Sequence, residues 1–238
     1  MSRIRIMKAR LHRLTSNPVA PPPEPLTFIA RIEDSTAAND EVAAELTDVR
    51  VEDRLRVESL RIHPGERLLV TGPNGAGKTT LMRVLAGEIR PGTGTVRRPT
   101  RVGHLHQDGM TWPFGLTVVQ AFTCGRTGHL DDAADVLLSL GLFSPGDLHR
   151  RVSELSYGQR RRIELARLVT SPVDLLLLDE PTNHLSPLLV EQVEEALAGF
   201  RGAVVVVTHD RRLRERFGGS HLTLHEGRMT AYRVATGY

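Results

Sequence analysis

Cysteine is nearly absent from the 238-residue sequence, where Cys124 stands alone. One thiol excludes an internal disulfide framework and a metal centre built from cysteines. It also points to a reducing compartment, so a cytoplasmic location is expected. Long apolar runs are missing too. The longest, residues 175–178 and 203–207, fall far short of the roughly 20 residues that span a bilayer, so no transmembrane segment is expected. The N-terminus is Arg-rich with no apolar stretch behind it, and no secretory signal is legible. Lysine occurs only at Lys8 and Lys78, every other basic residue being arginine.

Against these absences stands an ordinary globular balance, with 40% hydrophobic and 25% charged residues. That length and balance suit one large α/β domain or two small ones with a real core. A net charge of +3 permits an anionic partner without demanding one.

Residues 1–14 read as a helix end. Ile4, Met7, Leu11 and Leu14 fall at the spacing of a coiled-coil seam, and Arg3, Arg5, Lys8, Arg10 and Arg13 surround it. Residues 17–25 (NPVAPPPEP) form a Pro-rich extended linker. Strands are expected at 26–32, 43–51, 57–62 and 67–70, then a helix over 78–87. Short strands follow at 95–97 and 102–105. A mainly helical stretch runs over 117–170, with turn signals at Gly141 and 144–146. A strand at 174–178, a helix at 187–198, a strand at 203–207, a helix at 210–217 and two closing strands near Leu222 and Tyr232 complete the pattern. The runs 175–178 and 203–207 lack alternation, as parallel strands buried on both faces do.

Between the strand at 67–70 and the helix at 78–87 lies GPNGAGKTT: Gly72, Pro73, Asn74, Gly75, Ala76, Gly77, Lys78, Thr79 and Thr80. The pattern GxxxxGK[ST] between strand and helix is a phosphate-binding loop. Its glycines let several N–H groups converge on one anion, and the helix N-terminus adds positive potential. Lys78 suits the β- and γ-phosphates of ATP, and the Thr79 hydroxyl suits Mg²⁺. About a hundred residues on, the apolar run 175–178 ends in Asp179 and Glu180. A buried strand has no use for carboxylates, so they belong at its C-terminal edge, where α/β sheets bind ligands. Asp179 suits the Mg²⁺ shell and Glu180 a general base for the attacking water. Gln107, after the strand at 102–105, suits Mg²⁺ or the lytic water. LSYGQ opens a helix, and Ser156, Gly158 and Gln159 form a second candidate anion site there. His209, after the strand at 203–207, suits a hydrogen bond to a γ-phosphate.

Strand, GPNGAGKTT, Gln107, LSYGQ, LLLLDEP and His209, in that order, resemble the nucleotide-binding domain of the ATP-binding-cassette family over residues 43–235. The resemblance implies a P-loop NTPase core of RecA-like α/β type, with an antiparallel β subdomain and a helical subdomain over about 115–170. It also implies Mg²⁺-dependent ATP hydrolysis in a sandwich, where Ser156 and Gly158 act across the interface on ATP held by a second cassette. The second cassette would lie in the same longer protein or in a homodimer.

DEPTNHL, from Asp179 to Leu185, resembles the ABC-F subfamily: soluble tandem cassettes that bind ribosomes. Residues 1–25 resemble the end of the helical linker joining such cassettes, with 26–238 as the cassette itself. LSYGQRRRIELARL and TNHLSP resemble actinobacterial members associated with macrolide-type resistance. The resemblance implies a ribosomal partner, rRNA and tRNA included, in resistance or in translation regulation. The sequence departs from the pattern in three places. The adenine-stacking aromatic expected before Val57 is absent, with Val51, Arg50 and Arg54 in its region. Ser186 replaces an aspartate, and Tyr157 replaces a glycine of the signature.

Basic clusters at 3–13, 160–162 and 211–216 suit either rRNA phosphates or solvated helix faces. Cys124 reads as a core residue, and Trp112 has no assigned role. Two alternatives remain at this point: the ATPase subunit of a membrane transporter, and a nucleotide-binding module without turnover.

Overall fold

The computed structural model describes residues 42–126, 129–181, 190, 191, 193, 194, 197 and 199–234. The helix end at 1–14, the linker at 17–25, the strand expected at 26–32 and the TNHL segment lie outside them, as does part of the helix expected at 187–198. The described residues of 190–197 are helical.

Nine strands form one sheet: β1 (Ala44–Val51), β2 (Leu55–Ile62), β3 (Arg67–Thr71), β4 (Thr93–Arg97), β5 (Val102–Leu105), β6 (Leu175–Asp179), β7 (Ala203–Val207), β8 (Ser220–His225) and β9 (Arg228–Arg233). Their spatial order is β4-β1-β2-β9-β8-β3-β7-β6-β5. β8, β3, β7, β6 and β5 run parallel, whereas β4, β1 and β2 pair antiparallel. The two parts meet where β2 lies parallel to β9 at Arg56 and Arg228.

The unbroken apolar runs are explained by burial on both faces. Leu175, Leu177, Val205 and Val207 face a core that includes Leu81 and Leu85 of helix α1 (Lys78–Ala86). Leu176, Leu178, Val204 and Val206 face the opposite core. There they meet α2 (Val118–Thr123), α3 (Leu130–Ser139) and α4 (Tyr157–Val169). A strand enclosed in this way has no polar face to alternate with.

The stretch 117–170 resolves into three helices and two single 3-10 turns, Pro145–Asp147 and Val152–Glu154. Its interruption follows from local chemistry. Ser144 and Asp147 cap each other's turn, and Pro145 offers no N–H to continue a helix. α2 and α4 start at capping boxes, Thr117 with Gln120 and Ser156 with Gln159. A short α5 (Arg211–Arg216) starts at Asp210, whose carboxylate accepts from the N–H groups of Arg212 and Leu213.

Two sequence readings change. Cys124 is only partly buried: it caps the end of α2, where its carbonyl accepts from Arg167 at 2.8 Å. The cluster at 160–162 is not one surface. Arg161 is 1% exposed, because its guanidinium meets the carbonyls of His106 and Asp179 and the carboxylate of Glu164. It is therefore unavailable to rRNA. Trp112, left without a role above, packs against the helical core, with the Arg167 guanidinium 5.7 Å above its ring.

Candidate active site

The P-loop leaves β3 at Gly72 and enters α1 at Lys78. Gly72 has φ 146°, and a Cβ there would lie 2.2 Å from the Leu224 carbonyl oxygen. Gly77, the α1 N-cap, has φ 96°, and its Cβ would lie 2.6 Å from the Arg54 carbonyl oxygen. Both positions thus require glycine for conformation and for space. Gly72→Ala is expected to lower stability by about 1–3 kcal/mol, the usual range for overpacking. A denaturant midpoint equal to that of the parent chain would contradict this.

The loop, α1, β6 and the end of β7 enclose a cleft of about 630 Å³. Asn74, Gly75, Gly77, Lys78, Thr79, Thr80, Gln107, Asp179, Glu180 and His209 all line it. Sequence positions scattered over more than a hundred residues therefore converge. Lys78 Nζ donates to the carbonyls of Gly72 and Pro73 at 2.8 and 2.9 Å. Burial lowers its pKa, against the opposing charges of Glu180 and Asp179. Thr79 Oγ1 donates to Asp179 Oδ2 at 2.9 Å.

Asp179 and Glu180 are both buried, and burial raises both carboxyl pKa values. The Thr79 hydrogen bond and Lys78 charge oppose the rise at Asp179. The His209 backbone N–H, 3.2 Å from Glu180 Oε2, opposes it at Glu180. Glu180 has φ 52°, a left-handed conformation costly for a non-glycine residue. Its N–H still bonds the Val207 carbonyl at 2.9 Å. His209 Nε2 lies 3.4 Å from Glu180 Oε1.

Asp179 Oδ1 and Glu180 Oε1 are buried without a hydrogen-bond partner. An anionic oxygen left so is costly, and a divalent cation or a water at the cleft would satisfy it. The donor set of Thr79 hydroxyl, Asp179 carboxylate and Gln107 amide is all oxygen, as Mg²⁺ prefers.

Ser156, Gly158 and Gln159 are not among the residues lining this cleft. Ser156 Oγ accepts from the Gln159 N–H at 3.2 Å, and Gln159 Oε1 accepts from the Ser156 N–H at 3.0 Å. Their side chains thus hold the start of α4. Of the two arginines near the missing aromatic, Arg54 lines the cleft and Arg50 does not.

Sequence reasoning missed the buried pair Arg161–Glu164, 2.8 Å apart. The signal was present: opposite charges three apart on a helix, among residues of which Ile163, Leu165, Ala166, Leu168 and Val169 are apolar and buried. Glu164 Oε1 also accepts from the Met110 N–H at 2.6 Å, and Tyr157 donates to the Gln107 carbonyl at 2.9 Å. α4 is thereby tied to residues 106–110 and to the end of β6.

A family profile described as "ABC transporter" matches residues 55–183. Over 233 residues the chain is 60% identical to the tylosin resistance ATP-binding protein TlrC of Streptomyces fradiae, covering 98% of this chain and 42% of that one. It is 34% identical over 167 residues to the ribosome protection protein VmlR of Bacillus subtilis, covering 68% of this chain and 30% of that one. The chain thus spans less than half the length of both relatives. The solved dimeric cassette MJ0796, in a post-hydrolysis state bound to ADP and Pi, matches with a TM-score of 0.67 at 22% identity. That match covers 82% of this chain and 100% of the other, and at this identity it speaks for the fold. Motifs, topology and relatives agree: the chain belongs to the ATP-binding-cassette ATPases, in their ABC-F subfamily.

Proposed function

We propose that the chain is one cassette of a cytoplasmic ABC-F protein that hydrolyses ATP on the ribosome, in partnership with a second cassette, and so counters a tylosin-type macrolide. The observation carrying this reading is the 60% identity to a protein named for tylosin resistance, supported by similarity to one named for ribosome protection. Among the described residues no helix is long and apolar enough to cross a membrane.

In this reading the P-loop N–H groups from Gly75 to Thr80 hold the β- and γ-phosphates. Lys78 exchanges the carbonyls of Gly72 and Pro73 for phosphate oxygens. Arg54, at the cleft rim in place of the family's aromatic, offers a planar guanidinium to the purine face. Thr79, Asp179 and Gln107 would hold Mg²⁺, which neutralises phosphate charge when bound. Glu180 takes the proton of the attacking water, its pKa raised by burial toward the range a general base needs. His209 holds the Glu180 carboxylate through its N–H and presents its ring to the γ-phosphate. Ser156, Gly158 and Gln159, away from this cleft, face ATP bound by the second cassette.

Ribosome pelleting tests the proposal. The Glu180→Gln form of the protein carrying this cassette, with ATP, is expected to co-sediment with ribosomes more strongly than the nucleotide-free protein. Equal sedimentation would sink the ribosomal reading, and co-purification with a multi-spanning membrane protein would point to a transporter instead.

A further inference from the structure

A second cluster of chemistry-bearing side chains lies outside the nucleotide cleft, where the turn after α1 meets β5. Gly87 closes α1 in the left-handed region, and the Glu88 N–H bonds back to the Arg83 carbonyl at 2.9 Å. This is the wrapped helix ending that glycine permits, and it presents the Glu88 side chain to β5. His104 and His106, two residues apart at the end of β5, share one face of the strand. His104 Nδ1 and His106 Nε2 each lie 2.7 Å from the same oxygen, Glu88 Oε1. The three donor atoms all fall within 4.8 Å of one another. None of the three residues is among those lining the nucleotide cleft.

From this geometry we infer a binding site for a borderline divalent transition-metal ion of the zinc class, held by Glu88, His104 and His106. Two imidazoles and one carboxylate are a donor set such ions favour. The His104 side chain is 6% exposed, so its ring is fixed by packing. Glu88 and His106 are each one-third exposed, which leaves a solvent-facing position for a fourth ligand, as in open three-ligand sites. Bonds of about 2.0–2.2 Å in a tetrahedron set donors roughly 3.3 Å apart, so each 2.7 Å contact opens by roughly 0.6 Å. The exposed Glu88 side chain can give that much. Arg83 Nε lies 3.6 Å from the other oxygen, Glu88 Oε2, and so does not compete for the oxygen that faces the two imidazoles.

Binding of the ion would exchange the two contacts to Glu88 Oε1 for bonds to the metal and release the protons that lie between them. The bound ion would fasten the end of β5, one residue before Gln107, to the turn after α1.

Equilibrium dialysis of the nucleotide-free 238-residue chain against Zn²⁺, with excess Mg²⁺ to occupy oxygen-only sites, tests the inference. Glu88→Gln and His106→Gln are the variants, chosen because both side chains are partly exposed, with thermal melts to show that each folds. A single Zn²⁺ per chain is expected, undisplaced by Mg²⁺ and weakened about ten-fold or more in each variant. No Zn²⁺ bound by the parent chain, displacement by Mg²⁺, or undiminished binding in either folded variant would overturn it.

Discussion

Replacing Glu180 by glutamine is expected to lower ATP turnover by about 10²- to 10⁴-fold, the range set by loss of a positioned general base. Nucleotide binding should survive. The substitution keeps the shape of the side chain, and an amide oxygen can still accept the His209 N–H that now bonds Glu180 Oε2 at 3.2 Å. The backbone at φ 52° is held by the N–H bond to the Val207 carbonyl, which the substitution does not touch. What disappears is the proton acceptor. Phosphate release and nucleotide binding, measured together on the parent and variant proteins, separate the two effects. Turnover within a few-fold of the parent would remove Glu180 from the base role, whereas parallel loss of binding would make it a structural residue.

Arg161→Met is expected to cost about 3–5 kcal/mol, as removal of one member of a buried ion pair does. Both partners are buried, Arg161 at 1% and Glu164 at 6% exposure, and among the described residues the variant leaves the enclosed carboxylate the Met110 N–H at 2.6 Å. It also strips the carbonyls of His106 and Asp179 of a donor. The double variant Arg161→Met, Glu164→Leu should regain much of the loss, because an apolar pair of similar volume replaces a half-pair. Urea midpoints of the three proteins give the comparison. A single-variant cost below about 1 kcal/mol would place the pair with weak surface bridges and refute the buried-strut account.

The strands were legible because burial writes itself into composition. Residues 175–178 and 203–207 lack alternation, as buried parallel strands do, and they lie in the parallel part of the sheet. The P-loop was legible because phosphate chemistry dictates both residue type and spacing, and Gln107, Asp179, Glu180 and His209 were legible from their places at strand ends. Asn74, Gly75, Gly77, Lys78, Thr79 and Thr80 of the loop line one cleft with those four, whereas Gly72, Pro73 and Ala76 are not among its lining residues. Arg161 was misplaced because three consecutive arginines look alike in sequence. Only the packing of α4 against residues 106–110 distinguishes the buried one from exposed Arg160. The Glu88, His104 and His106 cluster was invisible for a related reason. The period of a strand puts His104 and His106 on one face, but no spacing rule brings Glu88, in the turn after α1, to them.

The position of β3 has a consequence for how the protein is made. The strand that launches the P-loop lies between β7 and β8, and Thr71 hydrogen-bonds to Leu222, 151 residues further on. Such distant partners are the last to arrive during synthesis and the slowest to find in folding. A ribosome-bound nascent chain arrested before Ala203 emerges would carry every P-loop residue yet have neither neighbour to hold that loop in shape. It should therefore fail to retain ATP, while one arrested after β9 has emerged should retain it. Capacity for nucleotide is thus acquired only once β7 and β8 have emerged, although the P-loop precedes both in the chain.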